Sequence, residues 1–274
     1  MDRIIRLYPL PAEEISLVGA YLAHDLRRYA EKTGKPFLYA NFITSIDGRI
    51  AIPHPSGTGF MVPKATANER DWRLFQELAA QADIILSSGR YLRDWAAGRA
   101  QEILRVDDPR FADLRQWRAS RSLPAYPDIA IISGSLDFPI PPVLAAGGRK
   151  VVIFTTAHPD RERVREIEAQ AGQVIVAGER SVDGALLVQR LTEMGYRTVC
   201  SSAGPRILHL LIAGGALDRL YITMANRMLG GQPFSSILEG PLLDKPVDLK
   251  INHVYLDPHA LEGSGQLYLS YDRC

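Results

Sequence analysis

The chain has 274 residues, 46% of them hydrophobic and 23% charged, with 32 Lys and Arg against 31 Asp and Glu. A formal charge of +1 leaves no electrostatic case for nucleic acid or an anionic membrane as partner. Two cysteines, Cys200 and Cys274, make no disulfide framework, so a reducing, cytoplasmic setting is expected.

The N-terminal stretch MDRIIRLYPLPAEE has no apolar signal core, and no segment reaches the roughly 18 uninterrupted apolar residues of a membrane helix. Residues 11–33 read as an amphipathic helix: Pro11 suits a first turn, Glu13 and Glu14 suit its positive end, and Ile15, Val18, Leu22 and Leu26 keep helical spacing. Gly34 and Pro36 close it. Residues 1–35 are thus expected to form a helical arm, and 36–274 a single domain.

The segment PFLYANFITSIDGRIAI is β-rich on both sides of Asp47-Gly48, a turn signal. After HPSGTGFMVP, a helix carrying Trp72, Phe75 and Leu78 leads to the short strand ADIILSSG (82–89). Residues 90–122 read as helix plus loop. The strands DIAIISG (128–134) and KVVIFTT (150–156) follow, then a polar helix near 160–171 and the strand QVIVAG (173–178). Asp183 caps the helix GALLVQRLTEMG, YRTVCSSAG is another strand, and PRILHLLIAGG is a helix with Pro at its start and Gly at its end. DRLYITMANRMLGG is a strand, and LKINHVYL with GQLYLSYDR forms a closing antiparallel hairpin. Alternating strands and helices predict an α/β fold with a mixed, mostly parallel sheet flanked by helices.

Two turns are suited to phosphate. In CSSAGPRILHLL a strand runs through Ser201, Ser202, Ala203 and Gly204 straight into a helix, where small residues let backbone N–H groups approach an anion and the helix start adds unpaired donors. In ILSSGRYL, Ser87, Ser88, Gly89 and Arg90 sit at another strand end, where hydroxyls and a guanidinium match a phosphate monoester. The competing readings are a plain strand-to-helix turn for the first and a surface arginine beside a tight turn for the second, but two such turns in one α/β sheet reinforce each other. Asp47 either makes its turn or belongs to a loop over a ligand, and the glycine-rich SGTGF could close over it. The GxGxxG and GxxxxGK[ST] patterns are missing, the six histidines show no metal-ligand spacing, and no metal is expected.

NFITSIDGRIA (41–51), SGTGF (56–60), ADIILSSGRYL (82–92), ISGSLDFP (132–139) and SSAGPRILHLLIAGGALDRLYITMANRMLGGQPF (201–234), in this order, resemble the reductase domain of bacterial riboflavin biosynthesis, the C-terminal domain of the bifunctional deaminase-reductases and a relative of dihydrofolate reductase. The resemblance implies a dihydrofolate-reductase-like fold, NADPH as hydride donor, a homodimer, and reduction of the ribosyl group of a phosphorylated 5-amino-6-(5-phosphoribosylamino)uracil. A same-fold reductase acting on a pterin or another carbonyl or imine, or a non-catalytic dinucleotide-binding protein, is the alternative. By position, Ile43 and Thr44 border the nicotinamide, and Asp47 lies in the active-site loop as the candidate catalytic residue. Ser87, Ser88, Gly89 and Arg90, with Ser133 nearby, take the adenosine-side phosphate. Ala203, Gly204, Pro205, Arg206 and Ile207 cradle the pyrophosphate, while Gly59, Met61, Asp94 and Ser202 fall at substrate positions. The chain departs from the family pattern at Ser202, where a substrate-binding glutamate is usual, and at Phe60 or Met61, where tryptophan is usual. The substrate arginine of the next helix appears as Ala79 or Leu78. The Asp-Asp-Pro motif appears only at Asp107-Asp108-Pro109, with Asp94 as rival for its first aspartate. An edge strand near Leu220–Met228 is expected to pair across a two-fold axis.

Overall fold

The computed structural model describes residues 2–55, 59–170 and 172–274. The strands are β1 (Arg3–Tyr8), β2 (Glu13–Ser16), β3 (Phe37–Ser45), β4 (Ile52–Pro53), β5 (Phe60–Met61), β6 (Ile84–Ser88), β7 (Asp128–Ile132), β8 (Val151–Thr155), β9 (Gly172–Val176), β10 (Thr198–Ser201), β11 (Arg219–Ala225), β12 (Leu249–Asp257) and β13 (Gln266–Arg273). The α-helices are α1 (Arg27–Thr33), α2 (Glu69–Ala80), α3 (Gly89–Ala96), α4 (Ala112–Ser120), α5 (Arg161–Ala169), α6 (Gly184–Glu193) and α7 (Pro205–Ala213). The residues gather into two units, one of 1–24, 39–77 and 217–274, the other of 25–38 and 78–216. Among the described residues no helix is long and apolar enough to cross a membrane.

The second unit carries the strands that read as near-continuous Ile and Val runs. Such strands need cover on both faces, which a parallel sheet with crossover helices supplies. Its order is β10-β6-β7-β8-β9, every neighbouring pair parallel, and β8 is buried along its whole length. The chain steps outward from β6 to β9, then returns to lay β10 on the other flank of β6. Strand order therefore reverses between β10 and β6. The fully buried Arg118 donates to the carbonyls of Ala80 and Ala82, both at 2.8 Å, and of Pro124 at 2.6 Å. It fastens α4 to the approach to β6. α6 starts at an Asp183 cap whose carboxylate accepts from Leu186 N–H, as its sequence predicts. α7 packs on α6 through glycine: a Cβ added at Gly214 would stand 2.7 Å from Gly184 Cα.

The first unit has the order β2-β1-β12-β13-β11-β3. Its neighbours are antiparallel apart from the parallel β11–β3 pair. The closing hairpin β12–β13 forms as expected. β11 does not: with β13 on one side and β3 on the other it is an interior strand, so it cannot pair across a two-fold axis.

The helix expected over 11–33 is also corrected. Only Arg27–Thr33 is α-helical, closed by Gly34 as expected, while Glu13–Ser16 is strand β2 paired with β1. Glu13 and Glu14 do not serve a helix start. They reach across the hairpin to Arg6 at 2.7 Å and Arg3 at 3.1 Å. Further along, the buried Glu77 carboxylate of α2 accepts the backbone N–H groups of Gly19, Tyr21 and Leu22 and the Nε of Arg73. Tertiary partners for these backbone donors outweigh the local helical spacing. His24 lies buried beyond them, its ring nitrogens 2.8 Å from the Tyr221 and Tyr255 hydroxyls and its ring stacked on His253.

Candidate functional site

The turns singled out at Ser88 and Gly204 leave the carboxyl ends of β6 and β10, the two strands between which the order reverses. In open α/β sheets that is where loops part and leave a crevice for ligands. The second unit therefore brings both phosphate-suited turns side by side.

At the first turn Ser87 is buried and Ser88 precedes α3 with extended backbone and no side-chain cap. Gly89 opens the helix against the loop after β7: a Cβ there would stand 2.8 Å from the Phe138 ring and 3.4 Å from Ser133 Oγ. A side chain at 89 would push that wall away, which is why this position is glycine. Ser133 Oγ accepts the N–H of Leu136 at 3.2 Å, shaping the same loop. Arg90 is exposed and its Nε donates to Asp94 at 3.3 Å. Asp94 also receives Arg99 at 2.7 Å. Asp94, read as a substrate position, is placed here as the anionic partner of two arginines on its own helix and the turn after it.

At the second turn Ser202 N–H donates to Leu86 O at 2.9 Å, tying the exit of β10 to β6. Its hydroxyl lies 3.5 Å from the same carbonyl. Ala203 is buried, Gly204 is exposed with φ −74° and ψ −179°, and no side chain caps α7. Pro205 supplies the first helical residue, Arg206 is exposed and Ile207 is half-buried. Among the described residues, none beyond its two chain neighbours comes within 4 Å of the position a Gly204 Cβ would take. An uncapped helix start that faces open space offers unpaired N–H donors and the positive end of its dipole to an anion. The donor set fits the phosphates of a dinucleotide.

The first unit holds the remaining candidates. Ile43 is half-buried on β3 and Thr44 is buried, its hydroxyl donating to Ser45 O at 3.0 Å. The chain then turns back, with Gly48 N–H donating to Ser45 O at 2.9 Å. The Asp47 carboxylate accepts from Ser45 Oγ at 2.5 Å, Gly230 N–H at 2.9 Å, Leu229 N–H at 3.1 Å and Arg49 Nε at 3.1 Å. The Ser45 hydroxyl first, then the Gly230 and Leu229 amides, hold it far below the usual carboxylate range. Asp47 is thus an anchored anion, with no proton to give near neutral pH.

Sequence reasoning missed Arg49. It is buried, donates to the carbonyls of Pro233 and Gly231, and stacks 4.7 Å over Phe234. Its only signal was its place directly after the Asp-Gly turn. Together Asp47 and Arg49 clamp the β3 turn to the segment 229–234. Gly59 accepts His54 N–H at 2.9 Å, and Met61 pairs with Ile52 in the small β4–β5 hairpin. The segment expected to close over a ligand includes Ser56, Gly57 and Thr58, which lie outside the described residues.

Comparison with known proteins places this geometry among reductases. Residues 36–260 match the model of the RibD C-terminal domain. A 2,5-diamino-6-ribosylamino-4(3H)-pyrimidinone 5′-phosphate reductase of Methanothermobacter thermautotrophicus is 27% identical over 214 residues, 78% of this chain and 88% of its own length. Among solved structures, a pyrimidine reductase-like protein of Corynebacterium diphtheriae superposes with a TM-score of 0.67 at 18% identity, covering 87% of this chain and 92% of its own. RibD of Acinetobacter baumannii gives a TM-score of 0.61 at 15% identity over 90% of this chain and 60% of its own. These two likenesses establish the fold that the sequence motifs predict.

Proposed function

The chain belongs to the RibD C-terminal domain family, and on that premise we infer that it is an NADPH-dependent reductase of the riboflavin pathway. Its substrate is a phosphorylated ribosylaminopyrimidine, as the name of the Methanothermobacter relative suggests, and hydride goes to the imine or carbonyl carbon of the sugar. One observation carries the reading: two donor-rich turns, neither closed by a side-chain cap, stand together at the reversal of strand order in the second unit.

The backbone N–H groups of Gly204 and Arg206 receive the pyrophosphate, with Pro205 and Ile207 flanking them and Ala203 keeping the approach narrow. Ser87, Ser88 and Gly89 take the adenosine-side phosphate, and Arg90 exchanges Asp94 for the 2′-phosphate that distinguishes NADPH from NADH. Ser133 supports the wall beside Gly89. Ile43 and Thr44 border the nicotinamide, and Asp47 with Arg49 fixes the turn that follows them. When bound, the dinucleotide supplies the hydride, while the chain aligns the partners and excludes water.

Ser202 favours a second reading. Both its N–H and its hydroxyl are directed at Leu86 O, so this position offers the substrate no carboxylate. A reductase of the same fold acting on a pterin or another imine keeps every cofactor residue and drops that one.

The test is a fluorescence titration with NADPH and NADH, followed by turnover of the phosphoribosylaminopyrimidine read as NADPH oxidation. Micromolar binding of NADPH, weaker binding of NADH, and turnover support the first reading. Binding without turnover of that substrate transfers support to the second. No binding of either dinucleotide removes both.

A further inference from the structure

Charge is concentrated where the chain leaves β6. Residues 89–100 carry three arginines, Arg90, Arg93 and Arg99, against one aspartate, Asp94, in a chain whose formal charge is only +1. Arg93 is spent on the loop after β7, where it donates to Asp137 O at 2.9 Å. The other two meet on one carboxylate. Arg90 Nε lies 3.3 Å from Asp94, one helical turn further along α3.

Arg99 comes from beyond the helix. α3 ends at Ala96, and at Gly98 the backbone turns left-handed with φ +70°, a conformation that favours glycine. Gly98 N–H donates to Trp95 O at 2.8 Å, and the N–H groups of Arg99 and Ala100 both return to Asp94 O, at 2.8 and 3.1 Å. That return brings the Arg99 side chain back over the last helical turn. Its Nη2 and Nε reach Asp94 Oδ1 at 2.7 and 3.1 Å. The turn thus delivers a second guanidinium to the aspartate that already holds Arg90.

Two guanidiniums on one carboxylate leave a positive charge over. Arg90, Arg99 and Asp94 have side chains 56%, 62% and 26% exposed, and ion pairs so exposed hold weakly. A phosphate monoester carries about two negative charges near neutral pH and offers its oxygens to forked donors. It can therefore engage both arginines and balance them, which the carboxylate does not. We infer that Asp94 and Arg99 set the choice between NADPH and NADH: Arg99 is a second guanidinium for the 2′-phosphate, and Asp94 is the internal anion that this phosphate displaces. The inference rests on the reductase reading above and deepens it, since there Arg90 meets the phosphate alone. NADH, without that phosphate, leaves the cluster closed. Asp94 also holds the two forks near each other, but its charge repels the incoming phosphate, and the repulsion between like charges outweighs the gain in order.

The experiment is a calorimetric titration of wild type, Arg99→Ala, Arg99→Lys and Asp94→Asn with NADPH, NADH and adenosine 2′,5′-bisphosphate, alongside thermal melting. Arg99→Ala should raise the Kd for NADPH and the bisphosphate about tenfold and leave NADH unchanged. Arg99→Lys, which keeps the charge and loses the fork, should fall between wild type and Arg99→Ala. Asp94→Asn should tighten both 2′-phosphorylated ligands several-fold without affecting NADH, the opposite of what loss of a useful contact produces. Melting temperatures should stay near wild type, because the pairs are exposed. Arg99→Ala that keeps the full preference for NADPH, or that loses both dinucleotides equally, overturns the inference. So does Asp94→Asn that binds NADPH no better than wild type. Wild type that binds the two dinucleotides equally well sinks this inference and leaves the reductase standing, whereas wild type that binds neither removes the reductase reading itself.

Discussion

Two turns in this molecule look alike in sequence and differ in what they do with their polar groups. After β3, the turn at Asp47 is closed on itself: a carboxylate meets four donors and an arginine meets two carbonyls, all from the chain. After β10, the start of α7 has no capping side chain and open space beside Gly204. The first turn spends its hydrogen bonds on shape; the second keeps them for an anion. Gly204 is exposed, so the donors of this helix start bond to water, which an anion can displace.

The sharpest way to break this contrast is to close the open turn. Gly204 has backbone angles any residue adopts, and aspartate is among the best helix caps, so Gly204→Asp should leave stability level or raise it by a few tenths of a kcal/mol. The same carboxylate would sit where the pyrophosphate is proposed, and the Kd for NADPH should rise about a hundredfold, since like charges in contact cost several kcal/mol. Fluorescence titration alongside thermal melting reads both. A variant that binds NADPH as wild type does would show that α7 is not the phosphate site.

A smaller effect is expected at Arg90. Arg90→Ala should weaken NADPH about tenfold and leave NADH nearly unchanged, measured by parallel titrations. Equal losses for both would assign the guanidinium to some other phosphate.

Opening the closed turn tests the other half. Asp47 is held ionised by its donors, so its contribution is present above the unfolded carboxylate value near 4 and is lost as pH falls below it. Asp47→Asn should flatten the decline of melting temperature in acid and lower kcat several-fold, with NADPH affinity intact. An unchanged acid limb would mean the clamp is incidental.

The smallest effect lies in the stacked His24–His253 pair. Burial holds both below the ordinary histidine value, His253 down to about 4. The unfolded chain takes up these protons near 6.5 and the folded chain resists. Stability present above 6.5 is therefore lost progressively as pH falls toward 4. His253→Gln should reduce the slope of melting temperature between pH 6.5 and 4.5. An unaltered slope would assign the acid sensitivity to carboxylates alone.

Most of the second unit was legible in the sequence, because its strands are unbroken apolar runs that end in serine or glycine and restart as helices. Asp183 announced the cap of α6, and Pro205 the first residue of α7. The N-terminus was not legible: Ile15, Val18, Leu22 and Leu26 keep helical spacing, and only the distant β12 and the Glu77 carboxylate favour strand and loop there. The cofactor turns were visible as local composition. Arg49 was not, since its partners at Gly231 and Pro233 lie far along the chain. Roles that depend on neighbours far along the chain leave no local trace.

The contact between Gly184 and Gly214 bears on the same helix from its far end. With a Cβ at 214 only 2.7 Å from the Gly184 backbone, α7 is seated by direct contact between two main chains, and even one methyl would have to lift it. A helix so seated has no slack to take up strain along its axis. Gly214→Ala, remote from any ligand, would then act as a shim under a lever, tilting the donors at Gly204 out of register with the phosphates they are proposed to hold.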